Sequence, residues 1–156
     1  MMLYLVQHGE AKPKEEDPQR PLTARGEEDV RRVAEFARRA GTQVDQIRHS
    51  GKRRAEQTAD ILARALRPPH GVMAVLGLNP EDPVEPVARA LVAESASLML
   101  VGHLPFLAAL AAELITGNHE LPVVRFQMGG IVGLERNGSG DWSLAWMVTP
   151  DLLPIE

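Results

Sequence analysis

Leu3-Tyr4-Leu5-Val6-Gln7-His8-Gly9-Glu10 is an apolar run of strand length that ends abruptly in an imidazole and a glycine. A second run, Leu98-Met99-Leu100-Val101, ends the same way in Gly102-His103. Short, continuously apolar runs mark strands buried on both faces, the kind found in parallel sheets. Open α/β sheets place their chemistry just beyond the carboxyl ends of such strands. Two histidines carried there by separate strands therefore point to one shared site.

The segments around these runs support that reading. Leu3–Gln7 is the first strand, and the loop from Lys12 to Pro21 holds three prolines. Thr23 is placed to cap a helix running to about Ala40, with Val30, Val33, Ala34 and Ala37 on one face and Gly41 as its stop. Gln46–Ser50 reads as a second strand. Ser50 then caps a helix to about Leu66, whose inner stripe is Ala55, Ala59, Leu62 and Leu66. A strand over Val72–Leu76 precedes a helix over Val84–Glu94, in which Val84, Val87, Ala88, Leu91 and Val92 group together. After the Leu98–Val101 strand, Pro105 opens an apolar helix to Ile115, a position suited to proline. Val123–Arg136 and Trp142–Val148 flank the turn cluster Asn137-Gly138-Ser139-Gly140 and read as an antiparallel pair. Strand–helix alternation followed by a hairpin describes one α/β domain over residues 1–156 with a mostly parallel sheet.

Composition narrows the function. The chain has 156 residues, a net charge of -4 and no cysteine. The charge gives no reason to expect nucleic acid or an anionic membrane as partner, so any anion site must be local. Disulfide and thiolate chemistry are excluded. The start of the chain lacks the basic and apolar segments of a signal peptide, and the Leu104–Ala112 stretch is too short to cross a bilayer. A cytoplasmic location is the expectation.

Lys52, Arg53 and Arg54 occupy the first turn of a helix, where the helix dipole disfavours cations by about 0.3–1 kcal/mol each. Positive charge placed against stability is the mark of an anion site, and Arg54 is the strongest candidate of the three. Arg20, in the proline-broken loop, has no helical partner and can reach a pocket. By contrast Glu27–Arg31, Glu28–Arg32 and Glu35–Arg39 have the i,i+4 spacing of a surface charge lattice. His49, His70 and His119 read as surface or loop residues. His8, His103 and Arg54 together read as a phosphate pocket: one imidazole to attack, one to hydrogen-bond phosphoryl oxygens, and a guanidinium to fork onto them.

Four blocks in order carry a family resemblance. They are Val6-Gln7-His8-Gly9-Glu10; Arg20-Pro21-Leu22-Thr23 with Gly26; Ser50 with Arg54-Ala55-Glu56-Gln57-Thr58-Ala59; and Val101-Gly102-His103-Leu104-Pro105. With these the chain resembles the histidine phosphatase, or phosphoglycerate mutase-like, superfamily, and within it the small SixA-type phosphohistidine phosphatases. The resemblance implies a three-layer αβα sandwich with a mixed sheet. It implies that His8 takes up the phosphoryl group, that Arg54 and His103 hold its oxygens, that Arg20 contacts it at the rim, and that neither metal nor cofactor is needed. A phosphohistidine-bearing protein or a small phosphorylated compound is the implied substrate. Larger relatives carry a general acid after the third strand; Glu81 and Asp82, between Pro80 and Pro83, are the candidates for it here, though they read first as two exposed turn acids.

The chain departs from the family at one position: Gln7 stands where the family has arginine. As a phosphate-binding residue its amide can donate hydrogen bonds to a phosphate oxygen but brings neither charge nor fork. Two expectations compete. Either Arg53 or Arg20 compensates and the protein turns over phosphohistidine or a small phosphoester, or catalysis is weakened and the protein is a phosphate- or phosphoprotein-binding module.

Overall fold

The computed structural model describes residues 1–155. Six strands form one sheet: β1 (Met2–Gln7), β2 (Gln46–His49), β3 (Val72–Ala74), β4 (Leu98–Gly102), β5 (Ile131–Arg136) and β6 (Trp142–Val148). Their order across the sheet is β3-β2-β4-β1-β5-β6. β1 to β4 are mutually parallel, and β5 runs antiparallel to both β1 and β6. The helices are α1 (Ala24–Arg39), α2 (Arg53–Leu66), α3 (Glu85–Val92) and α4 (Phe106–Thr116).

Alternation along β1 explains the layers. Tyr4 and Val6 face one way, into a core shared with Val30, Val33 and Ala37 of α1 and Ala55, Ala59 and Leu62 of α2. Leu3 and Leu5 face the other way, into a core shared with Leu91 of α3 and Phe106, Leu107 and Leu110 of α4. The fold is thus a three-layer αβα sandwich with a mixed sheet: the α/β domain that the strand–helix pattern predicts, in the form that the resemblance implies. β1 and β4 lie in the middle of the sheet and are buried on both faces, which is why they read as unbroken apolar runs.

The helix ends follow local chemistry, with corrections. Thr23 caps α1, its hydroxyl accepting the Gly26 N–H at 2.9 Å. Ser50 does not cap α2: Lys52 is the residue before the first turn and supplies no side-chain cap. Pro105 likewise stands just before α4 rather than inside it. β3 is shorter than Val72–Leu76, and Leu76 is almost fully exposed. α3 is shorter than Val84–Glu94, and Val92 faces solvent. The segment from 121 to 130 is irregular, so the hairpin's first strand is only Ile131–Arg136. That irregular segment crosses the end of β1, where the Gly129 N–H donates to the carbonyls of Gln7 (2.9 Å) and His8 (3.2 Å).

The charge lattice on α1 is also only partly as expected. Arg31 pairs with Glu27 and Arg39 with Glu35, but Arg32 pairs with Asp29 at 2.7 Å rather than with Glu28. Arg32 is largely buried and donates to the carbonyls of Pro150 and Leu153, tying the segment after β6 onto α1.

Candidate active site

His8 follows β1 and His103 follows β4, and these strands are neighbours in register from Leu3 opposite Leu98 to Gln7 opposite Gly102. The His8 N–H donates to the Gly102 carbonyl at 3.0 Å. The two rings therefore come together, with centroids 5.0 Å apart and planes tilted by 52°. Both residues are buried.

The proton on His8 can be placed. Its Nδ1 lies 2.7 Å from the Gly9 carbonyl oxygen. A carbonyl only accepts, so Nδ1 carries the hydrogen and Nε2 keeps its lone pair. Burial pushes the His8 pKa down to about 4; the Gly9 hydrogen bond opposes this, and the positive charges of Arg54 and Arg20 reinforce it. At neutral pH the ring is neutral and its Nε2 lone pair is free.

Gly9 is glycine because the chain is pressed against α1 there. A Cβ would lie 2.9 Å from a Val30 methyl and 3.0 Å from the Gly26 carbonyl oxygen. That contact holds the carbonyl which orients His8.

His103 has a different partner. Its Nε2 lies 2.7 Å from Ser50 Oγ, which also accepts the Lys52 N–H at 3.4 Å. The serine hydroxyl, with one proton and two lone pairs, is able to donate to or accept from Nε2. Burial pushes the His103 pKa down to about 3, with His8, Arg54, Lys52 and Arg20 acting in the same direction. Ser50 is the residue whose role local reasoning mistook. A serine before a helix reads as a cap, and its real partner is 53 positions away in the chain.

Arg54, in the first turn of α2, is partly buried, and burial and the charge of Arg20 lower its pKa. Arg20 has a left-handed backbone (φ 49°) and donates from Nε to the Lys12 carbonyl at 3.1 Å. Its charge acts on His8, His103 and Arg54 alike, so the proline-broken loop does bring it to the site. Arg53 points elsewhere, pairing with exposed Glu56 at 2.9 Å. Glu81 is exposed, and the Asp82 carboxylate accepts the Asn79 N–H at 2.8 Å, closing its own turn. Neither is among the charges acting on the two imidazoles. His49 is a correction: it is buried at the end of β2, and its Nδ1 accepts the Gly51 N–H at 3.1 Å.

Buried polar atoms without a partner cost about 1–3 kcal/mol each and are few in folded proteins. Four side-chain atoms are of this kind among the described residues, and three belong here: Arg54 Nε, His103 Nδ1 and Gln7 Oε1. An unpaired guanidinium N–H and an unpaired imidazole nitrogen thus lie in the same region as the His8 ring and the charge of Arg20.

Other features do not compete with it. A cavity of about 950 Å³ lies at the amino ends of the parallel strands, lined by residues such as Tyr4, Phe36 and Trp146 and by no lysine, arginine or histidine. Glu85, Glu113 and His119 bring donor atoms within 4.8 Å of one another. There the imidazole lies 3.7 and 3.5 Å from the two carboxylates, which accounts for their approach. Among the described residues no helix is long and apolar enough to cross a membrane.

Comparison with known proteins agrees with the geometry. The sequence profile of the histidine phosphatase superfamily (branch 1) matches residues 3–76, which include His8, Arg20 and Arg54. An uncharacterized protein of Picosynechococcus is 36% identical over 149 residues, covering 89% of this chain and 87% of that protein. The phosphohistidine phosphatase SixA of Escherichia coli is 29% identical over 155 residues, covering 96% and 94%. The structure of the protein histidine phosphatase SixA complexed with tungstate superposes with a TM-score of 0.86 at 28% identity, over 97% of this chain and 99% of that one. Motif spacing, strand order, paired imidazoles and relatives matched along most of their length converge: the chain belongs to the histidine phosphatase superfamily and is SixA-like within it.

Proposed function

We propose that this phosphatase works without a metal, carries the phosphoryl group on His8, and acts on phosphohistidine in a protein. The single observation that carries the reading is the His8 tautomer. With Nδ1–H held by the Gly9 carbonyl and the ring neutral, the Nε2 lone pair is available to attack phosphorus. In the first step the P–Nε2 bond forms and the bond from phosphorus to the substrate nitrogen breaks, its electron pair leaving with that nitrogen. In the second step water attacks the phosphorus of phospho-His8, the P–Nε2 bond breaks, the ring recovers its lone pair and phosphate leaves. Arg54, Arg20 and His103 face the charge spread over the phosphoryl oxygens in both steps.

Two features favour phosphohistidine over an alkyl phosphate. An imidazole already protonated leaves readily, whereas an alkoxide needs a positioned acid, and neither Glu81 nor Asp82 bears on the imidazoles. The comparison with SixA also supports the choice: it is named a phosphohistidine phosphatase, and its solved structure holds tungstate, an oxyanion of phosphate-like shape. Of the two arginines that could make up for Gln7, Arg20 is the one whose charge is felt at the site, and we assign it that part.

The test is phosphate release from a phosphohistidine peptide in EDTA by wild type, His8→Ala and Gln7→Arg. Release by wild type that disappears in His8→Ala is the expected result. Undiminished release by His8→Ala would remove the nucleophile assignment. The second reading, a binding module, is favoured by one observation, the uncharged Gln7. Silence in wild type with activity appearing only in Gln7→Arg would establish it.

A further inference from the structure

We infer that Thr58 is a positioning residue: its one hydroxyl fixes both the ring of His8 and the segment that carries Arg54. Thr58 lies on α2 one turn after Arg54 and is completely inaccessible to solvent. Its hydroxyl donates to the Arg54 carbonyl at 2.8 Å and accepts the Gly9 N–H at 3.0 Å. The first bond is an ordinary helical back-bond. The second crosses 49 positions of chain and reaches the one residue that orients the nucleophile.

Gly9 is held at both ends of its backbone. Its N–H goes to Thr58 and its carbonyl receives the His8 Nδ1–H. Removing the hydroxyl leaves a buried N–H without a partner, and Gly9 can then rotate toward another acceptor. Its carbonyl moves with it. The fixed Nδ1–H tautomer of His8 is lost, and with it the permanent exposure of the Nε2 lone pair. Because the same oxygen is anchored on the Arg54 carbonyl, the nucleophile and the phosphate-holding arginine keep a constant relation while phosphorus passes between them. Valine copies the shape of threonine without the hydroxyl, and serine keeps the hydroxyl without the methyl, so the two variants separate hydrogen bonding from packing.

The experiment has two arms. The first reads the ¹⁵N shifts of the His8 imidazole, which report its tautomer and require no turnover. The second measures kcat and KM for phosphate release from the phosphohistidine peptide, and rests on the phosphatase reading. The expected result is a mixed His8 tautomer in Thr58→Val, a kcat lowered about tenfold or more with KM within about threefold, and near wild-type values in Thr58→Ser. A wild-type tautomer in Thr58→Val would overturn the inference. So would a Thr58→Ser variant as impaired as Thr58→Val, because packing would then be the cause. If wild type releases no phosphate but the tautomer still responds to Thr58→Val, the phosphatase reading fails and the positioning role stands.

Discussion

Two buried neutral imidazoles make a definite statement about pH. In the folded chain His8 titrates near 4 and His103 near 3, against about 6.5 for an unfolded imidazole. Below pH 6.5 the unfolded chain takes up protons that the folded chain refuses. Stability is therefore complete above pH 6.5, falls as pH drops through the window down to about 4 for His8 and about 3 for His103, and levels off below. Melting temperatures between pH 7 and 4 should fall more steeply for wild type than for His8→Asn/His103→Asn; equal slopes would contradict the burial account. For the same reason kcat/KM should show no rise near pH 6.5, since the nucleophile is deprotonated well below that. Gln7→Arg tests the departure from the family. Because Arg20 is proposed to fill the place of the missing arginine, inorganic phosphate, measured by calorimetry, should bind the variant within about threefold of wild type; a charged hydrogen bond is roughly twice as strong as a neutral one, so binding tighter by about tenfold or more would show that Arg20 does not fill the role. His8, His103, Arg54 and Arg20 were legible because each breaks a local rule: imidazoles ending apolar strands, a cation at the wrong end of a helix, an arginine with no helical partner. Ser50 and Thr58 were not, because a hydroxyl bonded 49 or 53 positions away leaves no pattern in its own neighbourhood.

Among the elements, α1 is positioned by its first turn rather than by its stripe alone. A Cβ on Gly26 would lie 2.1 Å from the Glu10 carbonyl oxygen, and that oxygen accepts the Thr23 N–H at 2.9 Å. The helix start and the segment after His8 are thus pressed together backbone to backbone. Gly26→Ala should cost about 1–3 kcal/mol, as overpacking does, read as a lower midpoint in urea unfolding, and should also disturb the His8 signals; a variant with both unchanged would show that α1 docks loosely. Arg32 belongs to this scale too. Arg32→Ala removes the donors held by the Pro150 and Leu153 carbonyls and should speed amide exchange at 149–153 ahead of the rest of the chain. The starts and stops of α1 and the apolar strands could be read from caps and periodicity. The ends of α3 and of the hairpin could not: residues 123–130 are apolar enough to look like strand, but they cross the end of β1 instead of extending the ladder.

For the molecule as a whole, the strand–helix alternation predicted an α/β domain with a mostly parallel sheet, and the family resemblance implied the three-layer sandwich. The strand order could not be read, because it depends on which edges meet after the chain has closed. That order, with β1 between β4 and β5, has a consequence for the protein as it is made. β1 is synthesised early, yet neither of its partners exists until residues 98–102 and 131–136 have been added. Until then Leu3 to Val6 present two unpaired edges, the condition that invites pairing with other chains. The last strands to be made, β5 and β6, are therefore the ones that cover the second edge of β1, β5 by pairing with it and β6 by pairing with β5.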